Sequence, residues 1–257
     1  MRRLRPAEML LQKLGVTEPD EIDVEAIAWY CGVTVTSRPL DGCEAQIIGH
    51  GNRAVIIIDE ASRPRRQRFS VGHELGHWHH HRGHSSVCRS DEIGNRVRGP
   101  TDPERVADGF AADLLLPGYL FRPLANKLSR VTMDAVQELA DTFDTSLTAT
   151  AIRVVEMGPA PAMVICHSHK GRKWFTPGPD VPNRWFPCKD LDAESFAFEV
   201  LFGSEQKSRC ALIGADAWFD HRDAAKFELY EQSVRIGEEE ILTLLVFKDE
   251  DMLLDFA

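Results

Sequence analysis

Several kinds of pattern are missing from this chain of 257 residues, and each absence removes a class of protein. No run of eighteen apolar residues occurs, so the sequence predicts no transmembrane helix. The six cysteines form no CxxC pair, which argues against a cysteine zinc ribbon or a dithiol redox motif. The chain also contains no low-complexity tract and no internal repeat, so neither disorder nor a repeat architecture is expected.

Basic charge is comparatively scarce, because 40 acidic residues outnumber 30 basic ones and give a net charge of −10. This balance disfavours nonspecific contact with nucleic acid and with anionic membranes, and mildly favours a basic protein partner. The first residues, MRRLRPAEMLLQKLGV, begin with positive charge, but Glu8, Gln12 and Lys13 interrupt the apolar core that a signal peptide needs. We therefore expect a cytoplasmic protein without membrane association.

Periodicity and turn residues indicate an α+β fold. Two β-rich runs flank the turn-forming stretch GHGN and predict a hairpin from about Ala45 to Asp59. Helical patterns at 119–128, 133–143 and 147–156 end at MGPAPA, after which strand patterns dominate around one expected helix at Asp192–Leu201. We predict three segments: a first domain at 1–130, a helical segment at 131–156 and an α+β domain at 157–257.

The stretch Phe69–His84, FSVGHELGHWHHHRGH, contains most of the histidines. His73-Glu74-Leu75-Gly76-His77 matches H-E-x-x-H, the zinc metalloprotease signature. The sequence predicts a helix from about Pro64 to His80, on which two histidines four residues apart bring both imidazoles to one ion. Glu74 projects from the neighbouring turn, where it is placed to act on a water molecule as a general base.

A catalytic zinc site takes three protein ligands, so a third ligand is required. The stretch TDPERVADGFAADLLLP predicts a second helix that begins at Pro103, and Glu104 in its first turn is the candidate third ligand. Asp108, one turn later, is the candidate acceptor for a hydrogen bond from the second ring nitrogen of a ligating histidine. The simpler alternatives are a first-turn acid that favours the helix dipole and a solvent-facing aspartate.

Other polar residues near the motif have less specific explanations. His79, His80, His81 and His84 lie towards the predicted helix end, where we expect a solvated role. The arginines at 63, 65, 66 and 68 form either a solvated helix start or a substrate-orienting patch. The segment 82–99 is expected to be a loop. No pattern identifies a residue that stabilises an oxyanion, for which Tyr119 and the histidines at 79–84 are candidates.

The two helices resemble those of the ImmA/IrrE family of metallopeptidases. RFSVGHELGH carries the first part of the match, and ERVADGFAADLLLP is similar to the family pattern E-x-x-A-N-x-F-A-A-x-L-L-M-P. Asp108 stands where Asn is usual, and Leu116 stands where Met is usual. The resemblance covers roughly residues 20–156.

The resemblance implies a zincin-like, gluzincin-type peptidase domain with Zn²⁺ held by His73, His77 and Glu104, or another divalent ion such as Mn²⁺. It also implies a helix-turn-helix-like segment at 131–156 and a GAF-like sensor at 157–257. The implied activity is cleavage of a helix-turn-helix transcriptional repressor, which switches on stress-response or mobile-element genes.

Two rival functions remain open. The first is a DNA-binding regulator, because VQELADTFDTSLTATAIRV has a helix-turn-helix rhythm. Residues 132–156 contain five acids and one base, however, and this local charge of −4 repels phosphate, so direct DNA binding is not expected. The second is a protein that sequesters a repressor around a structural metal site. Glu74 argues against it, because a structural site needs no general base.

Overall fold

The structure is a computed structural model, and it describes residues 4–80, 86–88 and 102–254. The chain divides into two compact units. The first contains the chain up to Phe121 together with Ala140–Ser146, and the second contains Arg122–Leu139 and the chain from Leu147 onwards. The three-segment division at 130 and 156 stays a prediction, whereas the mixed α+β class is confirmed.

The first unit combines helices with a four-stranded sheet. Its helices are α1 (Pro6–Lys13), α2 (Val24–Tyr30), α3 (Pro64–His80) and α4 (Pro103–Leu115), and its strands are β1 (Val33–Arg38), β2 (Ala45–His50), β3 (Arg53–Asp59) and β4 (Ser86–Cys88). The strand order is β1-β3-β2-β4, in which β1 runs parallel to β3 and the other pairs are antiparallel. Ala45 pairs with Ile58, which confirms the predicted hairpin.

Local capping chemistry explains where these elements begin. The side chain of Asp23 accepts hydrogen bonds from the backbone N–H groups of Glu25 and Ala26 at the start of α2. Asp102 accepts from the N–H of Glu104 at the start of α4, where Pro103 supplies a preset backbone angle. Helix α4 therefore begins where the sequence predicts. In the predicted loop at 82–99, Ser86–Cys88 forms a short strand, and the rest of that loop lies outside the described residues.

The buried face of the sheet supports α3. Alternate residues of β3 are buried, whereas Val55 between them is exposed. The ring of Trp78 on α3 lies so close to Gly49 of β2 that a Cβ there would be 2.6 Å from the ring. The Trp78 indole N–H donates to the carbonyl of Cys31 at 3.2 Å. Trp78 is thus a buried core residue, and it fixes the end of α3 on the sheet.

Three helices follow α4: α5 (Gly118–Ala125), α6 (Met133–Thr142) and α7 (Leu147–Met157). The unit boundary after Phe121 lies within α5, and the boundary after Leu139 lies within α6. The turn between α6 and α7 contains Asp144 at φ 49°, the left-handed conformation that often ends a helix. Thr145 closes this turn by donating its N–H to the carbonyl of Ala140 at 2.9 Å.

The second unit is built on a five-stranded antiparallel sheet in the order β6-β5-β9-β8-β7. Its strands are β5 (Ala162–Ser168), β6 (Gly171–Pro177), β7 (Ala211–Gly214), β8 (Glu228–Arg235) and β9 (Glu240–Phe247), and α8 spans Phe196–Phe202. The sequence predicts that this helix starts at Asp192, and that predicted start is wrong. Ser195 caps α8 by accepting from the N–H of Phe198, so the preceding residues form a turn.

One strand contacts both ends of α8. Glu231 of β8 is buried and accepts from the N–H of Ala197 at 2.6 Å and from the indole N–H of Trp218 at 2.9 Å. Four residues later, Arg235 donates to carbonyls at the other end of α8, including that of Leu201 at 3.3 Å. Burial raises the pKa of Glu231 to about 7, against the lowering effect of these hydrogen bonds.

Within the described part of the chain, every helix is too short or too polar to traverse a lipid bilayer.

Candidate metal centre

Helix α3 brings His73 and His77 together on its buried side. The residues lie one turn apart, and their Nε2 atoms are 3.1 Å from each other. Their rings meet edge to face with centroids 4.7 Å apart. His73 is fully buried and His77 almost so. The helical spacing therefore places two imidazole nitrogens at one point, as the sequence predicts.

Helix α4 contributes Glu104 to the same point. One carboxylate oxygen of Glu104 lies 3.1 Å from Nε2 of His73, and the other lies 3.3 Å from Nε2 of His77. Among the described residues, these three side chains form the group whose ligand atoms lie mutually close enough, within 4.8 Å, to hold a metal ion. The cap by Asp102 starts α4 directly before Glu104 and so fixes the position of this carboxylate.

The separations between these atoms fit a first-row divalent metal. Ligands 2.0–2.1 Å from a tetrahedral zinc ion are about 3.3 Å from one another. The measured separations are 3.1, 3.1 and 3.3 Å. Two imidazoles and one carboxylate are also the ligand types of catalytic zinc sites, which leave a fourth position for water. Both the donor set and its spacing are therefore suited to a divalent ion.

Asp108 controls the orientation of His73. Its Oδ1 lies 2.9 Å from Nδ1 of His73, on the opposite side of the ring from Glu104. An N–H at Nδ1 that donates to this carboxylate leaves a lone pair on Nε2, which is the tautomer that a metal ligand requires. Asp108 stands one helical turn after Glu104, so a single helix supplies both carboxylates.

The electrostatics of the group favour a charged Glu104. Hydrogen bonds with His73 and then with His77 hold the pKa of Glu104 well below its usual value, although partial burial acts in the opposite direction. Glu104 is therefore ionised throughout the physiological pH range, and it gives the group the negative charge that a cation requires.

Close packing of α3 against α4 sets the distance between the histidines and the carboxylates. A Cβ at Gly76 would lie 2.8 Å from Cα and 3.0 Å from O of Ala107, so Gly76 permits an approach that another residue would block. Gly72 meets Ala111 one turn away at 3.3 Å. This contact was not predicted from the sequence. Its signal is the pair of small residues spaced by four on each helix, Gly72 with Gly76 and Ala107 with Ala111.

Glu74, between the two histidines in sequence, is fully buried on α3. A carboxylate leaves water at a large energetic cost, so its presence on this buried helix calls for a role beyond solubility.

The candidates for oxyanion stabilisation have other contacts. The hydroxyl of Tyr119 donates to the carbonyl of Val16 at 2.8 Å, and partial burial raises the pKa of this phenol. His79 and His80 are exposed and lie against the ring of Phe110 at centroid distances of 5.3 and 6.0 Å. The candidates at 81 and 84 lie outside the described residues.

The basic run before the motif forms ion pairs within the first unit. Arg65 contacts Asp141 at 2.7 Å and Asp144 at 3.1 Å, and Arg68 contacts Asp144 at 3.3 Å. Arg66 pairs with Glu44 at 2.9 Å. These three arginines therefore attach the start of α3 to its neighbours, which explains basic residues at a helix end whose dipole disfavours them.

Known proteins that resemble this chain include a metalloprotease and a transcriptional regulator. The Radiation response metalloprotease IrrE of Deinococcus radiodurans is 25% identical over 155 residues, which cover 57% of this chain; the chain spans only 42% of that relative's length. The solved structure of a Mycobacterium tuberculosis transcriptional regulator matches with a TM-score of 0.64 over 97% of this chain and 77% of that one. At 13% sequence identity, this second likeness concerns the fold alone.

A family model gives the broader assignment. The model of the IrrE N-terminal-like domain, Peptidase_M78, matches residues 27–155, which include α3, α4 and the convergent group His73, His77 and Glu104. A metallopeptidase family of this kind implies a divalent metal ion. Since the match covers half of the sequence, this chain belongs to the Peptidase_M78 family of IrrE N-terminal-like domains.

Proposed function

We propose that this protein is a zinc-dependent endopeptidase that hydrolyses a peptide bond in a protein substrate. The observation that carries the proposal is the convergence of His73, His77 and Glu104 at an H-E-x-x-H helix whose Glu74 is also buried. Membership of a peptidase family supports the same reaction. We further propose that the first unit is a zincin-like domain and that the strand-rich second unit is GAF-like.

The chain's own residues divide the work between them. His73, His77 and Glu104 would hold Zn²⁺, with Mn²⁺ as an alternative, and Asp108 would keep His73 in the required tautomer. The bound ion supplies Lewis-acid polarisation of the scissile carbonyl and a lower pKa for the attacking water. Glu74 would take a proton from that water and later deliver it to the leaving amine.

Substitution of Glu74 separates metal binding from catalysis. The Glu74→Gln protein should keep its metal and lose proteolysis by at least about 100-fold, because the amide is not a base. His73→Ala should lose both metal and proteolysis. The measurements are metal content by mass spectrometry and cleavage of substrate on a gel. Wild-type proteolysis by the Glu74→Gln protein would refute this mechanism.

The substrate that we favour is a helix-turn-helix transcriptional repressor in the cytoplasm, whose loss would activate stress-response or mobile-element genes. The resemblance to the ImmA/IrrE family supports this choice, as does the name of the curated relative, which joins a metalloprotease to a radiation response. The net charge of −10 suits a basic partner such as a DNA-binding protein.

Incubation with purified helix-turn-helix repressors, beginning with any that is encoded beside this protein's own gene, tests the substrate. We expect one internal cut with the wild-type protein and none with Glu74→Gln. A stable complex without cleavage would instead favour the sequestering function.

A DNA-binding function has less support. The α6–α7 segment does form two helices joined by a short turn. Asp141 and Asp144 in it are, however, committed to Arg65, and Asp134 at its start pairs with Lys207. The one basic residue of the segment 132–156, Arg153, is buried, so the segment has little positive charge with which to contact phosphate. A gel-shift with duplex DNA at low salt distinguishes the two functions, and a salt-sensitive shift would favour DNA binding.

A further inference from the structure

A small cavity opens in the second unit between the β5–β6 turn, the segment 189–191 and α8. Its volume is about 100 Å³, and its lining includes Ser168, His169, Asp190, Phe198, Leu201 and Phe202. A more open groove of about 500 Å³ shares Phe198 and Phe202 with this cavity and continues past Glu199 and Glu205. The proposed peptidase mechanism uses none of these residues.

Aromatic rings form much of the cavity wall. The rings of Phe198 and Phe202 are 4.6 Å apart between centroids, and the ring of His169 meets that of Phe202 edge to face at 5.3 Å. Phe202 is 52% exposed although it is a large apolar residue. Because the face of an aromatic ring carries negative electrostatic potential, an exposed cluster of such rings favours a cation.

The formal charge on the lining has one sign. Asp190 lines the cavity, Glu199 and Glu205 line the groove, and the described lining residues include neither lysine nor arginine. Three basic residues, Lys170, Arg172 and Lys189, adjoin lining residues in sequence but are not part of the lining. An anionic ligand would therefore be repelled, whereas a cationic one would meet both carboxylate and ring faces.

Asp190 is held in position by the backbone around it. The N–H of Arg172 donates to the carbonyl of Lys189 at 2.7 Å, which ties this segment to β6. Gly171 has φ +99° and approaches so closely that a Cβ there would lie 3.2 Å from Oδ1 of Asp190. The backbone thus places this exposed aspartate at the edge of the cavity before any ligand arrives.

We infer that this cavity binds a small organic ammonium ion. Its alkylated nitrogen would lie against Phe198, Phe202 and His169, Asp190 would offset the charge, and the remainder of the molecule would extend into the groove. The size suits a small head group. An enclosed cavity of about 150 Å³ accommodates benzene, and this cavity of about 100 Å³ is open on one side, so that the rest of the ligand can lie outside it.

Choline and its uncharged isostere 3,3-dimethylbutan-1-ol test this inference on the full-length protein. The two molecules have the same shape and differ in charge, so ligand-observed NMR titrations measure the contribution of the cation directly. We expect choline to bind at least about fivefold more tightly than the isostere. Equal binding of the two molecules, or no saturable binding of choline, would overturn the inference.

Two variants locate the binding. Asp190→Asn removes the charge at nearly constant shape, and Phe202→Leu removes an exposed ring without opening the core. Each should weaken choline binding by about fivefold. The matched controls Glu239→Gln and Trp29→Leu change an exposed acid and an exposed ring outside the cavity, and they should bind like the wild type. Unchanged binding in both cavity variants would place the ligand elsewhere. Because the readout is binding, a failed peptidase assay does not affect it.

Discussion

The contact between Gly76 and Ala107 gives a sharp test of how the two site helices are held together. Substitution of Gly76 by Ala adds one methyl group at a close contact between α3 and α4, 2.8 Å from Cα of Ala107. A carbon–carbon contact is comfortable at about 3.5–4.0 Å, so α4 must move away by roughly 0.7 Å or more. Glu104 lies one turn earlier on α4 and would move with it.

A second glycine separates the free-energy cost of overpacking from the gain in helix propensity. Overpacking of this kind costs about 1–3 kcal/mol, but Ala is also a better helix former than Gly by about 1 kcal/mol. Gly109→Ala on α4 has the same gain in helix propensity, and its added Cβ meets nothing within 4 Å. Gly76→Ala should therefore be less stable than Gly109→Ala by about 1–3 kcal/mol, since the propensity gain cancels.

Thermal unfolding and zinc affinity together measure both effects. The lower stability corresponds to a melting temperature lower by about 2–4 °C per kcal/mol. Zinc affinity, measured by competition with a chromophoric chelator, should fall by about tenfold or more in Gly76→Ala, because metal–ligand distances tolerate only about 0.2 Å. Gly109→Ala should bind zinc like the wild type. If the two variants have equal melting temperatures and equal affinities, the packing contact does not set the geometry of the site.

Two further predictions concern single carboxylates. Asp108→Ala should weaken zinc binding by about 10–100-fold. Asp108→Asn should retain most of the affinity, because the amide oxygen still accepts from His73. If competition titrations give the same zinc affinity for Asp108→Ala and the wild type, this role of Asp108 is wrong. The folded-state pKa of Glu231 is raised to about 7 from an ordinary 4.5, so its stabilising contribution is complete below about pH 4.5 and is lost as the pH rises through about 7. The stability of wild type relative to Glu231→Gln should therefore fall by up to about 3 kcal/mol between pH 4.5 and 8 in urea titrations, and a pH-independent difference would count against it.

The parts of the structure that local chemistry determines could be predicted from the sequence. Asp23 and Asp102 cap helices through hydrogen bonds that reach only two or three residues along the chain. The spacing of His73 and His77 follows directly from helical geometry. Glu104 was recognisable because it lies in the first turn of the next helix, and Asp108 because it follows one turn later; the structure places both beside His73.

Features that depend on distant partners could not be predicted in this way. The parallel pairing of β1 with β3 depends on how the chain returns to the sheet, which no local pattern records. Arg65 meets Asp141 and Asp144, 76 and 79 residues away, so the basic run had no visible partner in the sequence. The predicted start of α8 was wrong because Asp192 and Ser195 are both favourable helix-capping residues, and Ser195 is the one that caps the helix in the structure.

The first unit is discontinuous in sequence, and this limits how the protein can be shortened. The chain leaves the unit after Phe121 and returns to it for Ala140–Ser146. A fragment that ends at residue 130 would remove Asp141 and Asp144, and with them the ion pairs of Arg65 and Arg68 at the start of α3. A fragment that retains the whole first unit must therefore extend at least to residue 146, and so it must also carry Arg122–Leu139, which belongs to the other unit. For protein engineering, these two units are not interchangeable modules: a domain swap at any single cut site would divide one of them.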